Sequence, residues 1–347
     1  MTNHRLNIID VSNPNPNPDL NPKPTDPSNS NSNNETSTKS SNPRRARREE
    51  AKAKFERLWL LDPEQFNPMR NALQRERLNR TWTLMREYFS AANLIIADLG
   101  CGGGDLSAKL AEEGAHVDAI DIANNALKVL QTKNIQNITG SQDYVPNTML
   151  KDEAYDVVIS TEVIAFLHPD QYRLFTSELA RIMRSKAFVV CSTEIDIHSD
   201  DALHRFADIA ETEFEVEKWI FSYHALYIHL LNFMSAPSRF AKAWRDKEYR
   251  QKELKDRVSV QHWWFKVNST AIPATLWRVV QYMMNPLLNY IRQSNRILIG
   301  LENVCRFIWS ESGISHAIFI GKRRSLIEIP PETAMPIERK QRKQVWE

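Results

Sequence analysis

The chain has 347 residues, with 45 Lys and Arg against 43 Asp and Glu and a formal net charge of +2. That balance excludes a global field drawing a nucleic acid or an anionic membrane onto the whole surface, and leaves only local clusters able to do so. Three widely spaced cysteines, Cys101, Cys191 and Cys305, exclude a disulfide framework and a zinc site of ordinary spacing, so a reducing, cytoplasmic setting is the expectation.

From Ser12 to Pro43 the chain is mostly Asn, Pro, Ser and Thr. Such a stretch cannot offset the entropy of ordering, and residues 1–43 read as a disordered tail without the apolar core of a secretory signal. Basic clusters at Arg44, Arg45, Arg47 and Arg48 and at Arg339, Lys340, Arg342 and Lys343 read as solubilising flanks, with a weak phosphate or headgroup contact as the alternative. Residues 44–90 carry two helical patterns, from about Arg47 to Leu61 and from about Met69 to Phe89, separated by Asp62-Pro63. They read as a packing layer or as a lid offering Phe66 or Trp82 to a ligand mouth.

Strands and helices then alternate through residues 91–223. Strands are expected at Leu94–Leu99, Ala115–Ile120, Ile135–Thr139, Ala154–Ser160, Ala187–Thr193 and Phe214–Tyr223. Helices are expected at Asp105–Glu113, Asn124–Thr132, Pro169–Met183 and Asp200–Thr212, with Arg184-Ser185-Lys186 as a surface turn. Residues 224–313 break the alternation and look mainly helical, Ser315–Lys322 restores a last strand within 314–325, and 326–347 is a proline- and charge-rich tail. The expected fold is α/β, a doubly wound seven-stranded Rossmann-like sheet with a helical insertion before the last strand. The uncharged run between Lys218 and Arg239 has bilayer-spanning length, but His224, His229, Asn232 and Pro237 within it argue against a span.

The first strand ends at Asp98 and runs into Gly100, Gly102, Gly103 and Gly104, four of the chain's nine glycines. The dinucleotide pattern G-x-G-x-x-G fails in both registers, its last glycine falling on Asp105 or Ser107. The pattern D-x-G-x-G-x-G fits at Asp98, Gly100, Gly102 and Gly104. On these residues the chain resembles the class I S-adenosylmethionine-dependent methyltransferases. Asp105-Leu106-Ser107 and Glu113-Gly114-Ala115 are similar to the ubiquinone-biosynthesis O-methyltransferases in the cofactor half. The resemblance implies S-adenosyl-L-methionine as cofactor and no metal. It implies that Asp98 holds the amino acid end of the ligand while Gly100, Cys101, Gly102 and Gly104 pass beneath it. Asp121, at the end of the second strand, would take the ribose hydroxyls, and Ile122 one adenine face. Asp143 would meet the adenine amine beside Tyr144, and Thr161, Glu162 and Val163 would lie near the methionine part.

Methyl transfer needs a base only where the accepting atom starts protonated. Glu162 and His168 are the catalytic candidates, with Tyr223 and His224 also near the expected mouth, although His168 before Pro169 reads more readily as an ordinary turn residue. The insertion is rich in Leu, Ile, Met, Phe and Trp, which fits a second core, a cap over a hydrophobic acceptor or a peripheral membrane contact. The leading expectation is methyl transfer to an O, N or C atom of a small, apolar or quinol/lipid-like molecule. A methyltransferase for protein or RNA and a non-catalytic binding protein stand as alternatives. The best basic-aromatic stretch for RNA, Arg239 to Arg250, is diluted by Asp246 and Glu248. Oligomeric state is left open.

Overall fold

Strands rich in Val and Ile and buried on both faces belong in the middle of a parallel sheet, and the strand order follows from that. The computed structural model describes residues 43–197, 202–255 and 259–324; the readings for 1–42 and 325–347, including the Arg339–Lys343 cluster, lie outside the described residues. The seven strands are β1 (Ile95–Leu99), β2 (His116–Asp121), β3 (Ile138–Gln142), β4 (Tyr155–Thr161), β5 (Met183–Glu194), β6 (Phe214–Ser222) and β7 (His316–Arg323). They form one sheet in the order β3-β2-β1-β4-β5-β7-β6. Only β7 runs against its neighbours, pairing antiparallel with both β5 and β6. The order turns outward from β1 toward β2 on one side and β4 on the other, so ligands belong at the carboxyl ends of these strands.

Helices α1 (Pro43–Leu61) and α2 (Ala72–Tyr88) precede the sheet. Within it come α3 (Asp105–Glu112), α4 (Asn124–Thr132), α5 (Tyr172–Ile182) and α6 (Ala202–Glu213). Leu84 and Met85 of α2 and Leu106 and Leu110 of α3 pack on the face of Ile96, Val157, Ile159 and Ile318. Phe175 and Leu179 of α5 and Phe206 of α6 cover the face of Ala97, Val158, Val189 and Phe319. Each strand thus sends alternate residues into two cores. Between β6 and β7 lie α7 (Ala225–Met234), α8 (Ala236–Arg245), α9 (Lys247–Lys255), α10 (Ser259–Thr270), α11 (Ala274–Gln293) and α12 (Asn295–Trp309).

Two elements differ from the sequence reading. The third strand begins at Ile138 rather than Ile135, because Asn134 and Asn137 take left-handed φ values of 47° and 67° and carry the chain around after α4. The expected surface turn at Arg184-Ser185-Lys186 is part of β5. Tyr155 pairs with Met183 and Val157 with Phe188, so the register slips there, with Lys186 left-handed at φ 69°. The polar triplet is a bulge in the strand.

Helix α2 ties the insertion to the sheet. Arg75 donates to the Gln293 side chain and carbonyl and to Asn295 at the α11–α12 junction. One turn on, Arg80 grips Glu302 of α12 through two hydrogen bonds, of 2.8 and 2.5 Å, and reaches Ser222 at the end of β6. Glu302 is buried, with burial opposed by His224 and Arg80 so that its carboxyl is held well below the usual range. Glu302→Ala removes the partner that Arg80 has on α12 and leaves it only Glu76 of its own helix, and should cost about 3 kcal/mol, read as a lower urea midpoint. The exposed Arg306→Ala, which approaches the same carboxylate at 3.9 Å, should cost under about 1 kcal/mol.

Candidate active site

The turn after β1 is built around bare backbone. Gly100 and Gly104 sit at φ values of 78° and 72°, and an added Cβ would lie 2.2 Å from Val163 Cγ2 or Leu130 Cδ1 respectively. No side chain fits at either position. Asp98 lies beneath the turn, 2% exposed, and accepts from Ser107 Oγ at 2.6 Å. Asp121, also buried, accepts from the backbone N–H of Gly102 at 2.9 Å and of Ala123 at 2.8 Å, so the end of β2 holds the turn in place. Burial, helped by the neighbouring charge of Asp121 and opposed by Ser107, pushes the Asp98 carboxyl up to about 6. Burial also pushes Asp121 above its ordinary value, against the pull of its backbone donors.

Among the described residues neither carboxylate has a Lys, Arg or His within ion-pair distance. Two buried acids with no cation beside them fit a ligand that carries positive charge and fit a pyrophosphate badly. An ammonium and a sulfonium are such charges. The donor set therefore suits S-adenosylmethionine.

Ile122 and Cys101 are partly exposed around this turn. Asp143 follows β3 directly, and its carboxylate closes its own loop by accepting from the N–H of Tyr144 at 2.7 Å and of Met149 at 2.6 Å. The Tyr144 ring lies 5.4 Å beneath the Arg48 guanidinium, and its hydroxyl accepts from Gln171. Thr161 and Val163 flank Glu162 at the end of β4, all three partly exposed, with Val163 seated against Gly100. His168 stands elsewhere. It caps the short helical turn at Pro169–Gln171, is exposed, and pairs with Asp170 at 2.7 Å, a carboxylate that also holds Arg47. That is the geometry of a turn residue.

Sequence reasoning passed over the residues that cover the turn. Trp59 of α1 is buried against it, 3.1 Å from where a Gly102 Cβ would stand, and stacks on Phe66 at 4.5 Å. Glu56, one turn earlier, accepts from the N–H groups of Asn124 and Asn125 and so caps α4. Trp82 instead faces the sheet core beneath Lys109.

A second polar group opens beside Glu162, whose backbone is left-handed at φ 63°. Its carboxylate accepts from Ser192 Oγ at 2.9 Å and contacts His316 Nε2 at the start of β7. Arg77 of α2 lies 3.7 Å from Glu162 and 3.6 Å from Glu194. Desolvation raises the Glu162 carboxyl, but His316, Arg77 and Ser192 outweigh it and hold it down to about 2. Burial pushes the His316 imidazole below its ordinary value, against the pull of Glu162. Arg77 is 6% exposed and His316 and His224 are fully buried, yet Arg77 Nε and Nη2, His316 Nδ1 and both ring nitrogens of His224 make no hydrogen bond. Unsatisfied buried polar atoms are costly, and here they gather near Glu162, the residue before Val163, at the carboxyl edge of the sheet.

Residues 96–186 match a family model described as a methyltransferase domain. The ubiquinone biosynthesis O-methyltransferase of Bartonella tribocorum is 31% identical over 137 residues, 37% of this chain and 53% of that protein. The enzyme of the same name from Rickettsia typhi is 28% identical over 174 residues, 49% of this chain and 66% of that protein. The chain thus spans about half to two thirds of the length of these relatives. An S-adenosylmethionine-dependent methyltransferase of known structure from Mesorhizobium loti is similar at 24% identity, covering 33% of this chain and 54% of that one with a TM-score of 0.31. Residues 96–186 are thus similar to methyltransferase domains, and the seven-stranded α/β sheet that holds them is the fold such a domain takes.

The state of Asp98 should show in ligand binding. Protonated at low pH, it offers the ligand's ammonium no charge, so calorimetric affinity for S-adenosylhomocysteine, which keeps that ammonium, should weaken toward tenfold per pH unit below about 6 and level off above it. Asp98→Asn should bind weakly with a shallower slope.

Proposed function

We propose that this protein transfers a methyl group from S-adenosylmethionine to a hydroxyl oxygen of a small, apolar, quinol- or phenol-like acceptor. The observation that carries this reading is the Glu162–His316 pair, joined to the glycine turn through Val163. The names of the relatives, both O-methyltransferases, support an oxygen acceptor.

When bound, S-adenosylmethionine supplies an electrophilic methyl on a sulfonium. Asp98 and Asp121 hold its positive amino acid end and its ribose, with Ile122, Asp143 and Tyr144 toward the adenine and Thr161 and Val163 toward the methionine part. Trp59 and Phe66 keep water from the turn. Glu162, partly exposed, accepts a hydrogen bond from the acceptor hydroxyl and aligns its oxygen. The proton lost as the oxygen gains the methyl is taken up by Glu162 and His316 as one titrating unit. Arg77 lies between Glu162 and Glu194 and offsets part of their charge. His316 is the positioning and proton-storing partner; Glu162 is the group that meets the acceptor.

Acceptor class is tested by incubating a cell extract with the protein and labelled S-adenosylmethionine, then partitioning it. Label in the organic phase supports the reading, and label confined to RNA or protein refutes it. With that organic-soluble activity as readout, His316→Asn should lower kcat by about 10²–10⁴ while S-adenosylhomocysteine still binds. At saturating cofactor the wild-type rate should fall at acid pH, with its midpoint below the ordinary imidazole value because burial lowers the pKa of His316. Loss of that limb in His316→Asn identifies the pair as its source.

A further inference from the structure

Three helices of the insertion place apolar side chains where the fold does not bury them. On α11 the inward residues Trp277, Met284, Leu288 and Ile291 join the cores shared with α7, α8 and α12. A second stripe, Leu276, Val279, Met283, Leu287 and Tyr290, recurs at spacings of three and four residues about 120° away around the helix. Every member is more than half exposed, Met283 to 75%. Helix α10 adds Val260 and Trp263 and α12 adds Ile308 and Phe307, the last 91% exposed. Among the described residues nothing buries these side chains.

The exposed charge on these three helices has one sign. Between Ser259 and Trp309 the only acid is Glu302, which is buried and held by Arg80. Lys266, Arg278, Arg296 and Arg306 are exposed. A second copy docked symmetrically on the same patch would set these cations against their own kind with no exposed acid from these helices to answer them. An anionic lipid surface answers both features, since headgroups take the cations while Trp, Tyr and aliphatic side chains enter the boundary below them. Among the described residues no helix is long and apolar enough to cross a membrane, so the geometry is that of helices lying on a surface.

We infer that α10, α11 and α12 dock this protein onto anionic membrane surfaces. Full-length protein is mixed with vesicles of phosphatidylcholine alone or with equimolar phosphatidylglycerol, and the bound fraction is read by flotation. The mixed vesicles should bind the wild type, and binding should be at least about tenfold weaker on phosphatidylcholine alone. The double substitution Val279→Glu with Met283→Glu, at two exposed positions, should lower binding to mixed vesicles by at least about tenfold with circular dichroism unchanged. A wild type that ignores the mixed vesicles, a variant that binds them equally well, or a wild-type dimer that the variant dissociates would each overturn the assignment. None of these outcomes depends on methyl transfer.

Discussion

Glu162 is where the two halves of the molecule are joined. Its backbone takes a left-handed conformation that costs a non-glycine residue of the order of 1 kcal/mol, and the next residue, Val163, is thereby pressed against Gly100. Its carboxylate meanwhile bonds Ser192 and His316 and faces Arg77. The glycine turn, three strand ends and α2 therefore meet at one side chain. Release of that carboxylate would leave Arg77 buried with only Glu194, and His316 with neither ring nitrogen paired. The surrounding elements hold the strained backbone in place because each of them needs the charge it presents.

The electrostatics on the two sides of Glu162 are opposite in kind. On the donor side, Asp98 and Asp121 are buried without a cation, and both carboxyls are pushed upward. On the other side, Glu162 and Glu302 are surrounded by arginine and histidine and held down. A positively charged ligand is favoured by the first pair. The second set faces Glu162, Glu194 and Glu302 with Arg77 and Arg80 and leaves hydrogen-bonding capacity unsatisfied on Arg77, His224 and His316. A polar but uncharged group, such as a hydroxyl on an otherwise apolar molecule, suits such a place better than an anion or a cation does.

How much of this could be read from the sequence follows from how local each feature is. Asp98, the glycines and Asp121 act through backbone at the ends of adjacent strands, so a short pattern and one spacing suffice to find them. His316 and Glu162 are 154 positions apart. They meet only because β7 enters the sheet backwards beside β5, and no local pattern sets His316 apart from a core histidine. Arg77 lies on a helix that also carries Arg75 and Arg80, with Arg70 in the short turn before it, each with a different partner. Period alone cannot sort them. Trp59 was hidden for a related reason: α1 is charged on most of its surface, and its contact is with glycines that offer no side chain to pair with. On α11 the helical period is clear, but two apolar stripes share it, and only the packing of α7 and α8 decides which one faces inward.

Helix α12 connects the surface to the chemistry. Its outward side carries Phe307 and Ile308, its inward side carries Glu302 on Arg80, and seven residues after Trp309 the chain reaches His316. Arg80 is one turn from Arg77 on α2, so a displacement of α12 would be transmitted along α2 to the group that balances Glu162. An apolar acceptor dissolved in a bilayer would meet the insertion before it met the sheet edge, and the same helix that rests on the lipid borders the polar group where its hydroxyl would be received. Under this arrangement the insertion saves the acceptor a passage through water, whose cost grows by about 0.8 kcal/mol for every buried CH₂ exposed. A polar acceptor would gain nothing from it, so the proposed docking face and the proposed acceptor call for the same kind of molecule.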